Sequence, residues 1–222
     1  MMSSLTARES VEGQPLVPLI FPLSEAGTAI ISPLLDAARS LCIEYKDTLL
    51  SAGVPIDDFQ NFSEEISALP GKFKPSQGGN LWLALLPAFC DTDDSNSPTF
   101  NAPYVHLGCR GRFAVVGIVA LRDMNSSTMR RCGEIKRLYV RPTARRLSAA
   151  QLLMNEVEIF AKTQGYTELL LDTLERLPQA LKFYSQRGYT ATSPYNDNPM
   201  TDAVWLHKLL PTHIVDTSSI TI

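Results

Sequence analysis

The sequence predicts a mixed α/β fold, and three features of its hydrophobic pattern carry that expectation. The apolar run Phe113 to Leu121 (FAVVGIVAL) and the strand-like segment Gly133 to Val140 flank the polar turn RDMNSSTMRR and so read as an antiparallel hairpin. After Pro142 the period changes from that of a strand to that of a helix, with Leu153, Val157 and Phe160 on one face. Beyond this helix, strand and helix alternate to the end of the chain, which sets helices against a mixed sheet.

Element by element, residues 1–16 are polar and non-periodic and read as a tail, as do residues 213–222. Between Ile31 and Leu50, the residues Leu34, Ala38, Leu41, Tyr45 and Leu49 recur at helical spacing. Phe59, Phe62, Ile66 and Leu69 give a shorter helical stripe, with Asn61 and Glu64 placed to cap it and Pro70-Gly71 to end it. The run Asn80 to Leu86 (NLWLALL), bounded by Gly-Gly and Pro, predicts a buried strand. PAFCDTDDSNSPTFNAP then has the Asp, Ser, Asn and Pro content of a surface loop, so residues 88–112 are expected to be an insertion. A helix is expected from about Arg145 to Gln164, closed by Gly165, then a buried strand at Glu168 to Asp172. A helix over Pro178 to Arg187, ended by Gly188, precedes closing strands at Tyr189 to Thr192 and Ala203 to Leu209.

Length and charge narrow the function. The 222 residues fit one domain, expected over 17–212, and the formal net charge of −3 argues against a general nucleic-acid binder. Cys42, Cys90, Cys109 and Cys132 form no C-x-x-C pair, and His106, His207 and His213 have no metal-ligand spacing, so neither a disulfide framework nor a metal is expected. No apolar leader core and no run of about 20 apolar residues is present, which predicts a cytoplasmic protein without a membrane partner.

One stretch departs from ordinary helix design. VRPTARRLSAAQLL places Arg141, Arg145 and Arg146 at a helix start, an end already positive from its free N–H groups and macrodipole. Small residues there, Ser148, Ala149 and Ala150, let an anion approach the backbone closely, and arginines add charge-assisted hydrogen bonds. Surface arginines beside a tightly packed helix start would give the same pattern.

The block EIKRLYVRPTARRLSAAQLLMNEVEIFAKTQGYTELLLDT, followed by ALKFYSQRGYT and PYNDNPM, resembles the GNAT superfamily of acetyl-CoA-dependent N-acetyltransferases. Its Q/R-x-x-G-x-G/A turn is matched by Arg145 to Ala150, and its A-x-x-x-Y-x-x-x-G-F/Y helix by Ala180, Tyr184, Gly188 and Tyr189. The resemblance runs from about Leu81 to Leu209. Ser148 stands where the family has its first motif glycine, and Leu177 where many members have an asparagine.

The resemblance implies a mostly antiparallel central sheet flanked by helices, acetyl-CoA as co-substrate, no metal, and direct attack of an amine on the thioester. Glu134 would be the general base and Tyr184 the general acid. Backbone N–H groups at Leu138, Tyr139 and Val140 would polarise the carbonyl, and Arg145, Arg146, Leu147, Ser148, Ala149 and Ala150 would hold the phosphates. Asp197 would meet the acceptor ammonium. Cys132 is a small hydrophobe rather than a nucleophile, and the series Lys136, Arg137, Arg141, Arg145, Arg146 divides between phosphates and solvent. The expected partner is a small-molecule amine, with a homodimer admitted. A peptide acceptor, or a non-catalytic protein that binds acyl-CoA, are the alternatives.

Overall fold

A computed structural model describes residues 16–56, 61–88, 102–124 and 131–211. Residues 1–15, the C-terminal tail, Phe59, Cys90, His213, the middle of the 88–112 insertion and most of the turn after Leu121 lie outside the described residues, whereas Leu16, the last residue of the expected N-terminal tail, is buried. The chain forms two compact units: the first takes residues up to Arg122 and Ile135–Val157, the second Asp123–Glu134 and everything from Glu158 onward.

In the first unit, β1 (Leu19–Pro22) pairs antiparallel with β2 (Asn80–Pro87), which pairs antiparallel with β4 (Arg112–Asp123). The all-apolar run of β2 is buried on both faces, as a strand between two neighbours and under helices must be. The 24-residue α1 (Thr28–Ser51) buries Leu34, Ala38, Leu41 and Leu49, and the short α2 (Phe62–Ser67) buries Phe62 and Ile66. Asn61 does sit at the start of α2, but in a left-handed conformation and without a capping hydrogen bond from its side chain. The insertion is not all loop. Tyr104–His106 forms β3, which pairs antiparallel with β4 at residues 112–114. The Val116 carbonyl accepts the Arg141 N–H (2.9 Å) at the end of β5 (Cys132–Val140). Thus β3 takes the edge of β4 next to the point where β5 ends.

In the second unit, Cys132–Glu134 of β5 pairs parallel with β6 (Glu168–Leu174), and β6 pairs antiparallel along its whole length with β8 (Ala203–Leu209). The two-residue β7 (Thr190–Ala191) closes the edge against β8. Met124 N–H donates to the Cys132 carbonyl (3.0 Å), as the expected hairpin requires. All strand pairs in which register is set, apart from β5 with β6, are antiparallel. Alternation along β6 buries Leu169, Leu171 and Thr173 and leaves Glu168, Leu170 and Asp172 on a half-buried face.

Two helices complete the order: α3 (Ala149–Thr163) and α4 (Pro178–Gln186), followed by Gly165 and Gly188 with positive φ. The expected start of α3 at Arg145 is wrong by four residues. Pro142–Ala144 forms a 3-10 turn, and Arg146 (φ +69°) and Ser148 (φ +59°) are left-handed, so no helix can pass through them. The two arginines stand on the turn before the helix.

Candidate active site

Glu134 is the one candidate whose surroundings are most definite. It lies on β5 opposite Leu170 of β6 and is fully buried. A buried carboxylate requires hydrogen-bond donors, and two come from the loop before β8. The Tyr195 hydroxyl donates to Glu134 Oε1 at 3.2 Å, and Asn196 Nδ2 donates to the same oxygen at 3.4 Å. Asn196 Oδ1 in turn accepts from Trp205 Nε1 at 2.7 Å. Asn198 Nδ2 donates to Asp172 Oδ2 at 2.7 Å, and its Oδ1 accepts from the Met200 N–H. The loop is therefore tied to carboxylates of two adjacent strands. Asp197, expected at the acceptor, is exposed and lies between Asn196 and Asn198, whose side chains bond to Glu134 and Asp172. The sequence reading passed over Tyr195, Asn196 and Trp205. Tyr195 and Asn196 are consecutive and both reach inward, so no periodicity in PYNDN gives them away.

On the same face of the sheet, Glu168 lies between two groups. His207 Nδ1 is 2.6 Å from Glu168 Oε1, and Cys132 Sγ is 3.6 Å from Glu168 Oε2. The imidazole and the thiol thus meet the two oxygens of one carboxylate.

Tyr184 is the buried residue of α4, at 9 % exposure, edge-on to Phe183 (5.5 Å between ring centroids) and to Tyr189 (5.8 Å). Tyr184 and Glu134 belong to the same unit. Burial pushes the Tyr189 phenol well above the ordinary tyrosine range, and the nearby Glu158 carboxylate adds to this. Glu158 itself receives Arg187 (3.1 Å) and Lys208 (2.8 Å).

In the first unit, Arg145, Arg146 and Ser148 are exposed, Leu147 and Ala150 half-buried, and Ala149 buried. Arg146 and Ser148 are left-handed, whereas Arg145 between the 3-10 turn and Arg146 is extended. α3 follows directly, and its first hydrogen bond, Leu152 N–H to the Ser148 carbonyl, makes Ser148 the cap residue. These residues fit a phosphate-bearing co-substrate: exposed guanidinia, N–H groups of a helix start and no acidic residue in the first turn. Leu138, Tyr139 and Val140 form the end of β5, with Tyr139 buried and its ring 6.0 Å from that of Tyr45.

The rest of the basic series has another cause than the one expected. Arg141 is buried and forks onto Glu44, with Nε 2.7 Å from Oε2, while a further N–H donates to the Val115 carbonyl. Arg137, also buried and left-handed (φ +61°), meets Glu65 at 2.8 Å and stacks over Phe62 at 4.3 Å. Both guanidinia are buried and paired with a carboxylate of the chain itself, so neither is a solvated cation.

Among the described residues no group of His, Cys, Asp and Glu is arranged to hold a metal, and no helix is long and apolar enough to cross a membrane. Residues 79–189 match the model of the acetyltransferase (GNAT) family. An uncharacterized N-acetyltransferase of Schizosaccharomyces pombe is 40 % identical over 75 residues, covering 34 % of this chain, which spans about half (46 %) of that relative. An uncharacterized N-acetyltransferase of Dictyostelium discoideum is 26 % identical over 207 residues, covering 79 % of this chain and 94 % of its own. Among solved structures, a GNAT-family acetyltransferase of Staphylococcus aureus superposes with a TM-score of 0.58 at 15 % identity, over 87 % of this chain and all of its own, a likeness of fold. The matched segment is half of the chain and takes in Glu134, Arg145–Ala150 and Tyr184, and the chain belongs to the acetyltransferase (GNAT) family.

Proposed function

We propose that the protein transfers an acetyl group from acetyl-CoA to a primary amine of a small molecule, with Glu134 as general base and Tyr184 as general acid. The observation that carries the reading is the buried Glu134 carboxylate, held by neutral donors on a strand that continues into the Arg145–Ala150 turn. When bound, acetyl-CoA supplies an activated acyl carbonyl and a thiolate leaving group. Glu134 Oε takes a proton from the acceptor ammonium, which frees its lone pair. The Tyr184 hydroxyl gives its proton to the departing sulfur. As the family resemblance implies, N–H groups at Leu138 to Val140 would polarise the carbonyl, and Arg145, Arg146 and the N–H groups of Leu147 to Ala150 would hold the phosphates.

A small acceptor is the reading that goes with the 88–112 insertion, part of which, Tyr104–His106, adds a strand to β4 at residues 112–114. A thiol-release assay with acetyl-CoA, small primary amines and short peptides tests the reading. Turnover of small amines, lost at least about 100-fold in Glu134→Gln, is the expected result. Turnover of peptides alone would overturn the acceptor class. Saturable acetyl-CoA binding without turnover of any amine would make the protein a binder rather than an enzyme.

A further inference from the structure

The loop before β8 contains a hydrogen-bond chain whose direction is fixed by chemistry. An indole N–H donates and never accepts, so the 2.7 Å bond from Trp205 Nε1 must end on the oxygen of the Asn196 amide. The amide nitrogen then necessarily faces the other way, where it lies 3.4 Å from Glu134 Oε1. Trp205 thereby prevents the alternative amide orientation, which would aim a carbonyl oxygen at a buried carboxylate. We propose that Asn196 and Trp205 are positioning residues for Glu134, holding Oε1 with a polarised N–H donor; this rests on the reading of Glu134 as the base. Neither residue lies within the family-matched segment, which ends at 189.

The chain spans three strands. Glu134 is opposite Leu170 on β6, Asp172 of β6 is opposite Trp205 on β8, and Asn196 bridges Trp205 and Glu134 above them. The second tie, Asn198 to Asp172, holds the backbone that presents Asn196. A donor aimed at the ionised form stabilises it, so loss of the Asn196 N–H would disfavour the charged base. The other titratable groups around Glu134 are the Tyr195 hydroxyl from the loop, Cys132 and Lys136 on its own strand, Glu168 and Asp172 on β6, and His207 on β8. Any pH effect must therefore be separated from theirs by substitution at Glu134 itself.

The test has two independent readouts on the full chain. The first is the indole N–H resonance of Trp205, with Trp82 as internal reference, followed against pH in the absence of any substrate. It should shift as Glu134 takes up a proton, and that inflection should vanish in Glu134→Gln and in Asn196→Ala. An inflection unchanged in Glu134→Gln, or none in the unsubstituted protein, would overturn the chain. The second is the pH profile of kcat/KM. Trp205→Phe, which keeps an aromatic ring but lacks the donor, and Asn196→Ala should each move the acid limb to higher pH by about half to one unit. In a Glu134→Gln background, Asn196→Ala should change turnover less than twofold. A uniform loss of rate with an unmoved acid limb would reduce both residues to structural ones. If Glu134→Gln retains full turnover while the indole still follows Glu134, the base assignment fails and the chain stands.

Discussion

Arg141 and Glu44 form a forked ion pair between residues 97 positions apart, joining the end of β5 to the middle of α1. The guanidinium is buried, whereas 37 % of the Glu44 side chain remains exposed. The pair therefore matters most for what would be stranded without it: the Val115 carbonyl, which Arg141 also satisfies. Arg141→Ala is expected to lower stability by about 2 kcal/mol, read as a lower denaturant midpoint at an unchanged slope. Glu44→Gln should cost less, because its exposed carboxylate is partly screened by solvent. Equal stability of Arg141→Ala and the unsubstituted protein would show that the fork contributes nothing.

The Arg137–Glu65–Lys72 cluster sets an acid limit. Burial alone would push the Glu65 carboxyl up, but Arg137, with Lys72 assisting, outweighs burial and holds it below the ordinary glutamate value of 4.5. Lys72 is itself lowered, burial being the largest cause, so the favourable balance at Glu65 is owed chiefly to Arg137. A carboxyl depressed by folding stabilises the native state above its unfolded value and loses that contribution as pH falls through the folded one. Acid unfolding should accordingly be shallower in Glu65→Gln, which starts from lower stability near neutral pH. Parallel stability curves between pH 6 and pH 2 would exclude Glu65 as a contributor.

Ser148 occupies a left-handed conformation that costs an L-residue about 1 kcal/mol or more and glycine almost nothing. Ser148→Gly should raise stability by no more than about 1 kcal/mol, since glycine also loosens the unfolded chain. Acetyl-CoA, titrated calorimetrically, should bind more tightly to this variant, whose backbone N–H groups are less shielded. Weaker binding would instead identify the serine hydroxyl as a phosphate ligand.

Tyr184→Phe keeps the edge-on packing against Phe183 and Tyr189 and removes only the hydroxyl. Turnover should fall at least about tenfold while acetyl-CoA affinity stays nearly constant. A turnover unchanged within twofold would return Tyr184 to the hydrophobic core.

Periodicity made most of the fold legible. β8 was delimited residue for residue, and α1, β2, β4 and β6 were located from apolar spacing alone. The start of α3 was not, because Arg145 to Ser148 are acceptable helix formers in composition, and only the positive φ of two of them excludes the helix. Candidate site residues can be named from sequence where they are continuous in the chain, as in the turn before α3. They are hidden where partners are distant in sequence: Glu65 lies 72 residues from Arg137, and Asn196 lies 62 from Glu134. Spacing assigns a residue to a face of its strand but says nothing of which loop will cover that face. For the same reason the acceptor role fell to Asp197, the charged member of its loop, while its uncharged neighbours Tyr195 and Asn196 reach the carboxylate.

The unbroken apolar stretch of β2 also imposes an order on folding. During synthesis Asn80–Pro87 emerges when β1 and α1 already exist, so one edge and part of one face can be covered at once. Its other edge has no partner until Arg112–Asp123 has been made. In that interval LWLALL is an uncharged, strand-forming segment with open backbone groups, the kind of sequence that associates between chains. Slow translation across the segment between β2 and β4 would lengthen that exposure, and a destabilised β4 would restore it in the finished protein.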